Sequence, residues 1–190
     1  MLRALCASCA LCFVCALVIT PVSLRSFAEG PFPGFTGGFK EPTCQQCHFG
    51  NDLNAPGGKL TLSGVPAVYE AGQSYAITVV LAREKLRKAG FQLAARFARG
   101  KAAGTDAGTL SVSGADLQLV KGPDNKVTYV QHTPAGTKAR GPGSLTWRFR
   151  WVAPKAAMPV RFDLAANASN DDESPIDDFI YTASATAKGR

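Results

Sequence analysis

The sequence is poor in the residues from which active sites are usually built. It contains two histidines and two methionines in 190 residues, and four of its six cysteines lie within the first fifteen positions. No serine or cysteine stands in a recognisable nucleophile elbow, and so few imidazoles leave little material for general acid–base chemistry. We therefore predict that the protein is not an enzyme.

Tracts of basic residues are also missing. The formal net charge is +7 at pH 7, from 21 Lys and Arg against 14 Asp and Glu, but the basic residues are scattered along the chain. Proteins that bind nucleic acid concentrate positive charge on one face or in one run. We expect no nucleic-acid partner, although a modest positive field can steer an acidic redox protein toward the molecule.

Residues 1–28 have the features of a cleavable export signal. Arg3 provides a positive end, residues 4–20 are apolar, and residues 26–28 read Ser-Phe-Ala, a small-x-small cleavage pattern. The first four cysteines lie in the apolar run, where cysteine serves as a small apolar residue. An uncleaved anchor is the alternative, which Pro21 disfavours. We predict a periplasmic or secreted protein with no stable membrane anchor after cleavage.

The remaining cysteines, Cys44 and Cys47, are followed directly by His48. Two thiols separated by two residues can reach both vinyl groups of one porphyrin, while the next imidazole binds the iron axially. We predict one covalent haem c, with Cys44 and Cys47 as thioether residues and His48 as proximal ligand. The segment 29–57 around this motif is rich in Gly, Pro and Phe, and we expect it to form a haem-binding loop with apolar walls.

Three other interpretations of the motif stay open. A Cys44–Cys47 disulfide closes a very short loop and leaves His48 unexplained. A thioredoxin-like dithiol needs a helix start inside an α/β unit, which the neighbouring sequence lacks. A zinc site needs four ligands, and the mature chain offers only these three residues and the distant His132.

The second axial position of the iron has few candidates. His132 stands at the end of a predicted strand, just before a turn, so its side chain can reach a cofactor at the edge of a sheet. The alternatives are Met158, a lysine or a vacant site. Two histidine ligands favour a low-spin electron carrier, and a vacant position favours a sensor of small molecules.

Alternating apolar residues predict β-strands over most of residues 58–190. The clearest case is residues 145–151, in which Leu145, Trp147, Phe149 and Trp151 share one face. About eight such strands, separated by turn signals and without βαβ alternation, predict an all-β fold, an immunoglobulin-like antiparallel β-sandwich. Only residues 83–89 have a helical pattern, which we interpret as a single turn.

Five carboxylates crowd residues 170–178. Hard oxygens at this density could hold calcium, but the stretch lacks the ligand spacing and the central glycine of an EF-hand loop. We expect a solvated loop between strands, which could serve as a docking surface.

Several segments together resemble the bacterial relatives of the reeler (reelin-type) domain. They are residues 43–50, 90–93, 129–133, 151–154, 165–168 and 178–182. The resemblance implies an immunoglobulin-like sandwich over residues 58–190, export to the cell envelope, and a haem-type motif near the N-terminus. It implies little about a reaction, and the animal members are matrix and adhesion modules without haem.

Together these features predict an exported monohaem c-type cytochrome-like protein that transfers electrons to or from a redox partner protein in the envelope. The alternative function is that of a secreted reeler-like β-sandwich module for binding or adhesion, without haem.

Overall fold

The computed structural model describes residues 28–139, 141 and 143–190 of the chain. The predicted export signal lies outside these residues, except for Ala28. Ten strands follow one another along the described part of the chain: β1 (Gly58–Ser63), β2 (Val68–Tyr69), β3 (Ser74–Arg83), β4 (Lys88–Phe97), β5 (Thr109–Ser111), β6 (Leu117–Lys121), β7 (Thr128–His132), β8 (Ser144–Val152), β9 (Val160–Ser169) and β10 (Phe179–Gly189). Two short 3₁₀ turns, Cys44–Gln46 and Pro134–Thr137, are the helical elements of that part. Within it, no helix combines the length and the apolar character needed to cross a bilayer.

The strands form two sheets that pack face to face. One sheet has four strands in the order β1-β3-β8-β5, and the other has six in the order β2-β10-β9-β4-β7-β6. Neighbouring strands are antiparallel except β2 and β10, which pair in parallel over two residues. The prediction of an all-β antiparallel sandwich is confirmed. The strand number is ten instead of about eight, because β2 and β5 are too short to show an alternating pattern.

The interior between the sheets follows the alternation of the sequence. In β8 every second residue is buried, as predicted for residues 145–151. The ring of Trp151 meets that of Phe162 edge to face at 4.9 Å, and the ring of Trp147 lies 4.4 Å from that of Phe91. Each indole N–H donates to a backbone carbonyl at 2.8 Å, so burying these large side chains leaves no indole donor unsatisfied.

Residues 83–89, which were expected to form a single turn between strands, do contain such a turn, and it is not part of a helix. β3 ends at Arg83, β4 begins at Lys88, and the residues between them form a tight turn. Lys85 has a φ of 62° and Leu86 is buried against the core. The helical pattern of residues 83–89 therefore reflects a connection between two strands that places Leu86 in the interior.

The segment before β1 covers the outer face of the six-stranded sheet. In β4 and β9 this cover buries residues on both faces, although alternation would leave one face exposed to solvent. We call residues 28–50 the N-terminal arm. Its last residues also pair with the loop before β10: the Phe49 N–H donates to the Pro175 carbonyl at 2.7 Å, and the Asp177 N–H donates to the Phe49 carbonyl at 2.9 Å.

Buried polar side chains of the sheet hold the arm in place. The side-chain oxygen of Gln92, Oε1, accepts hydrogen bonds from the backbone N–H groups of Gly34 and Phe35 at 2.9 and 2.8 Å. Its amide nitrogen donates to the Phe32 carbonyl at 3.0 Å and to the side chain of Gln131 at 2.7 Å. Every polar atom of this buried side chain is thus used, which fixes the path of the arm over β4.

A second attachment lies further along the arm. The Arg96 guanidinium donates to Glu41 at 2.6 Å and to the Thr36 hydroxyl at 2.9 Å, and the ring of Phe39 covers it at 4.5 Å. The Tyr129 hydroxyl donates to the same Glu41 carboxylate. Desolvation and this hydrogen bond raise the pKa of Tyr129 well above its usual range, so the phenol stays protonated. The charge of Arg96 can remain buried here because Glu41 pairs with it and Thr36 accepts a further hydrogen bond, although its Nε has no hydrogen-bond partner.

We predict that Gln92→Leu lowers the free energy of unfolding by about 2–3 kcal/mol, since each buried polar group left unsatisfied costs about 1–3 kcal/mol. The arm should also become susceptible to limited proteolysis. Denaturant unfolding measures the first effect, and mass spectrometry of the cleavage products measures the second. Gln73→Leu, in an exposed turn, is the matched control. An unchanged midpoint for Gln92→Leu would contradict this role of Gln92.

Candidate functional site

A partly open cavity of about 100 Å³ lies between the N-terminal arm and the outer face of the six-stranded sheet. The lining is mainly apolar, with walls that include Pro31, Phe32 and Phe35 from the arm and Ala89 and Phe91 from β4. The same cavity is lined by Cys44, Cys47, His48 and His132. The structure thus brings together the four residues that the sequence suggested for haem.

Cys44 begins a short 3₁₀ turn that ends at Gln46, and Cys47 is the residue directly after it. The Thr43 hydroxyl caps this turn by accepting the Gln45 N–H at 3.3 Å, and the His48 N–H donates to the Cys44 carbonyl at 3.0 Å. Both thiols are free and partly buried. The tight turn places Cys44, Cys47 and His48 on the wall of one cavity.

The pKa of the Cys44 thiol bears on the interpretation of the motif as a thioredoxin-like dithiol. Desolvation of its sulfur atom raises the pKa of the thiol to about 12, and the nearby Cys47 contributes in the same direction. A redox-active dithiol needs the opposite, a lowered pKa that supplies thiolate near neutral pH. The environment of Cys44 therefore disfavours a thioredoxin-like role.

We predict that Cys44 in folded Cys47→Ser protein reacts with iodoacetamide at least about 100-fold more slowly than in the unfolded chain at pH 8, because the desolvation that raises its pKa remains without Cys47 and each unit lowers the thiolate fraction about tenfold. Mass spectrometry of quenched samples gives both rates. Equal rates in the folded and urea-unfolded states would contradict the buried, protonated thiol.

His48 lies where the arm meets the loop before β10. Its Nδ1 is 2.6 Å from a carboxylate oxygen of Asp178, a residue with a fully buried side chain. The amide nitrogen of Asn167 donates to the same oxygen at 2.9 Å. Burial alone would raise the pKa of Asp178, but the hydrogen bonds from His48 and Asn167 outweigh it and lower that pKa below the usual range. The carboxylate is therefore ionised at neutral pH.

His132 closes the opposite end of the β4–β7 pairing. The pairing of these strands ends at Gln92 and Gln131. Beyond that point the His132 side chain, and not a strand residue of β7, contacts the backbone of β4. The Phe91 N–H donates to Nδ1 of His132 at 3.0 Å, and the Phe91 carbonyl oxygen lies 3.2 Å from the same nitrogen. Because Nδ1 accepts this hydrogen bond, the neutral ring carries its proton on Nε2, and Nε2 would bind iron only after losing that proton.

Gly90 makes room for the His132 ring. A Cβ atom at this position would stand 2.4 Å from Cε1 of His132 and 2.9 Å from both ring nitrogens. Carbon atoms in proteins do not approach so closely, so an alanine here would push the imidazole away from its hydrogen bond with the Phe91 N–H. The glycine in β4 is thus explained by a close approach of the imidazole and not by a bend of the backbone.

We predict that Gly90→Ala displaces His132 and lowers the free energy of unfolding by about 1–3 kcal/mol, through overpacking and loss of the bond to Phe91. Urea unfolding and the NMR signals of the His132 ring report the two effects. Gly141→Ala is the control, since no atom lies within 4 Å of a Cβ placed there. Unshifted His132 signals in Gly90→Ala would contradict the contact.

The other suggested sixth ligands occupy different places. Met158 precedes β9, whereas the cavity residue Asn167 lies near the far end of that strand, roughly 20 Å or more away at about 3.3 Å per residue. Met158 does not line the cavity. Lys88 does line it, and its ammonium group pairs with Asp171 at 2.9 Å. The cavity therefore offers His132 and one lysine, but not the methionine.

The donor set of the cavity fits a haem better than a bare metal ion. Among the residues that the structure describes, no three His, Cys, Asp or Glu side chains lie close enough together to hold a metal ion. A structural zinc site needs four such ligands, whereas haem iron takes only one or two from the protein. Two thiols on one turn, two imidazoles and apolar walls match the needs of a covalent porphyrin. Asn167, one of the lining residues, has a buried side-chain oxygen without a hydrogen-bond partner.

Sequence reasoning missed Asp178, Asn167 and Gly90. Asp178 is the last residue of the predicted solvated loop 170–178, of which the other four carboxylate residues are exposed as expected. Its burial depends on the N-terminal arm, whose His48 contacts the carboxylate. For Asn167, a signal was present, since it is a polar residue in the middle of a strand otherwise rich in alanine.

No protein-family model matches the chain, and no curated protein does. Solved structures with a similar fold include the Reelin-N domain of F-spondin, with 19% identity and a TM-score of 0.47 over 77% of this chain and 95% of that one. The human F-spondin reeler domain is 20% identical, with a TM-score of 0.47 over 76% and 95% of the two chains. AvmM, which catalyses macrocyclization in alchivemycin A biosynthesis, is 14% identical, with a TM-score of 0.44 over 73% and 91%. At these identities the similarity concerns the fold alone.

Proposed function

We propose that the protein is an exported monohaem c-type cytochrome-like electron carrier of the cell envelope. The observation that carries the proposal is the joint position of Cys44, Cys47, His48 and His132 around one apolar cavity, although His132 is far from the others in sequence. A CxxCH motif on an exposed loop without such a cavity would lack the apolar walls that a porphyrin needs.

Each of the cavity residues would have a different role in binding the haem. Cys44 and Cys47 would hold it through thioether bonds, His48 would bind iron on one side, and His132 is the candidate for the other side. Phe32 and Phe35 would shield the ring from water, which tunes the potential of haem iron. When bound, haem supplies a one-electron couple; the chain itself supplies position and environment, and we assign it no turnover chemistry.

The proposed partner is a redox protein of the envelope, and no nucleic acid. The export signal and the CxxCH motif support this location together, since covalent haem attachment and export both place the mature domain outside the cytoplasm. The net positive charge would raise the encounter rate with an acidic partner, an effect that added salt would screen.

A haem-free β-sandwich module for binding or adhesion is the second candidate. It is favoured by the completeness of the protein without a cofactor: the core between the sheets is closed, and Gln92 and Arg96 attach the arm through protein groups alone. Under this function Cys44 and Cys47 would stay free or pair with each other.

Expression in a host that can attach haem c separates the two functions. We expect a pyridine haemochrome spectrum typical of two thioether bonds and a mass increased by one haem. Cys44→Ser with Cys47→Ser should abolish both. His132→Ala should keep the covalent haem and lose the low-spin bands, whereas Met158→Leu, outside the cavity, should leave the spectrum unchanged.

A colourless product of unmodified mass from such a host would contradict the electron-carrier function and favour the binding module. Unchanged low-spin bands in His132→Ala would keep the haem but remove His132 from the iron. High-spin ferric bands in the wild-type protein, with ready binding of carbon monoxide, would instead favour a sensor.

A further inference from the structure

The buried Asp178 carboxylate is the centre of a hydrogen-bond cluster beside the cavity. One of its oxygens lies 2.6 Å from Nδ1 of His48 and 2.9 Å from the Asn167 amide nitrogen. Its other oxygen accepts the Asn170 N–H at 3.2 Å, and its backbone carbonyl accepts the side-chain amide of Asn51 at 3.1 Å. Asp178 thus contacts the motif loop at both the imidazole and the residues that follow it.

This cluster decides which nitrogen of His48 carries the proton. Only an Nδ1–H donor suits an ionised carboxylate at 2.6 Å, because a bare Nδ1 would place two lone pairs against each other. With Nδ1 protonated, the neutral ring has its lone pair on Nε2. An imidazole that donates its second N–H to a carboxylate is held in a fixed orientation and is a more basic metal ligand.

We propose that Asp178 is a positioning residue that holds His48 in the Nδ1–H tautomer, directs Nε2 to the iron, and lowers the reduction potential of the haem. The proposal rests on the proposed haem function for its last part, whereas the tautomer is a property of the chain itself. Asn167 acts with Asp178, since its amide shares the carboxylate and keeps it in place.

Asn167 lies close enough to His48 to change its tautomer when the Asp178 carboxylate is replaced by an amide. Its amide nitrogen lies 3.1 Å from Nδ1 of His48 and 3.4 Å from Nε2. When the carboxylate at residue 178 is replaced by a neutral amide, the Asn167 N–H₂ group can donate to an unprotonated Nδ1. The proton of the neutral ring is then free to move to Nε2, the nitrogen that iron needs.

The first test uses cofactor-free protein labelled with ¹⁵N and kept reduced, at a pH where the ¹⁵N signals themselves show neutral rings. The chain has two histidines, so His132→Ala assigns the ring signals. We expect His48 of the wild-type protein to be protonated at Nδ1, and the Nε2–H tautomer to increase in Asp178→Asn. Asp177→Asn is the matched control: it removes the same charge one residue away, from an exposed position whose φ of 63° asparagine tolerates.

The second test measures the midpoint potential of the haem-loaded proteins. Asp178→Asn should move the potential to more positive values than in both the wild-type protein and Asp177→Asn, since a neutral acceptor makes His48 a weaker donor to ferric iron. A merely structural role of Asp178 would lower stability without a potential shift beyond that of the control.

The outcomes separate the two proposals. Wild-type protein that takes up no haem would end the electron-carrier function, while the tautomer measurement would still decide the role of Asp178. A wild-type His48 protonated mainly at Nε2, or equal tautomers and potentials in Asp178→Asn and Asp177→Asn, would overturn the positioning role.

Discussion

The docking of the N-terminal arm on the outer face of the six-stranded sheet is the contact on which the candidate site depends. A β-sandwich needs no cover on its outer faces, and the four-stranded sheet has polar and charged residues there. On the other sheet, Gln92 and Arg96 are buried by the arm and find their partners in it. The cavity exists only because this docking leaves a gap between arm and sheet.

The cost of burying polar groups explains why the arm has one position. An apolar contact tolerates sliding, whereas a buried amide with several hydrogen bonds is satisfied in only one register. Gln92 sets the register of the first part of the arm, Arg96 sets that of the middle, and Asp178 sets that of the motif. Phe32 and Phe35, which line the cavity, are the residues whose backbone groups Gln92 binds, so these polar contacts determine where the apolar walls stand.

The two candidate ligands differ in how the fold supports them. His48 belongs to the arm and is held by a carboxylate from the loop before β10. His132 belongs to the sandwich and is held by the backbone of β4 above a glycine. A group between them would therefore bridge arm and sandwich, and its binding would add to the hydrogen bonds that already join these two parts.

Much of the fold could be predicted from the sequence, because alternating side chains reach opposite faces of a strand and residues 145–151 obey that rule without exception. The CxxCH motif could be predicted as a unit, since its three residues meet through local geometry. The role of Gln92 and Arg96 could not, because alternation marks an outer face in the same way whether water or another segment covers it. His132 could be named as a candidate ligand because the mature chain has few alternatives, but its place beside the motif depends on the fold. The link from His48 to Asp178 could not be found along the chain: it joins residues far apart in sequence, and only the docking of the arm decides which distant polar groups share one buried space.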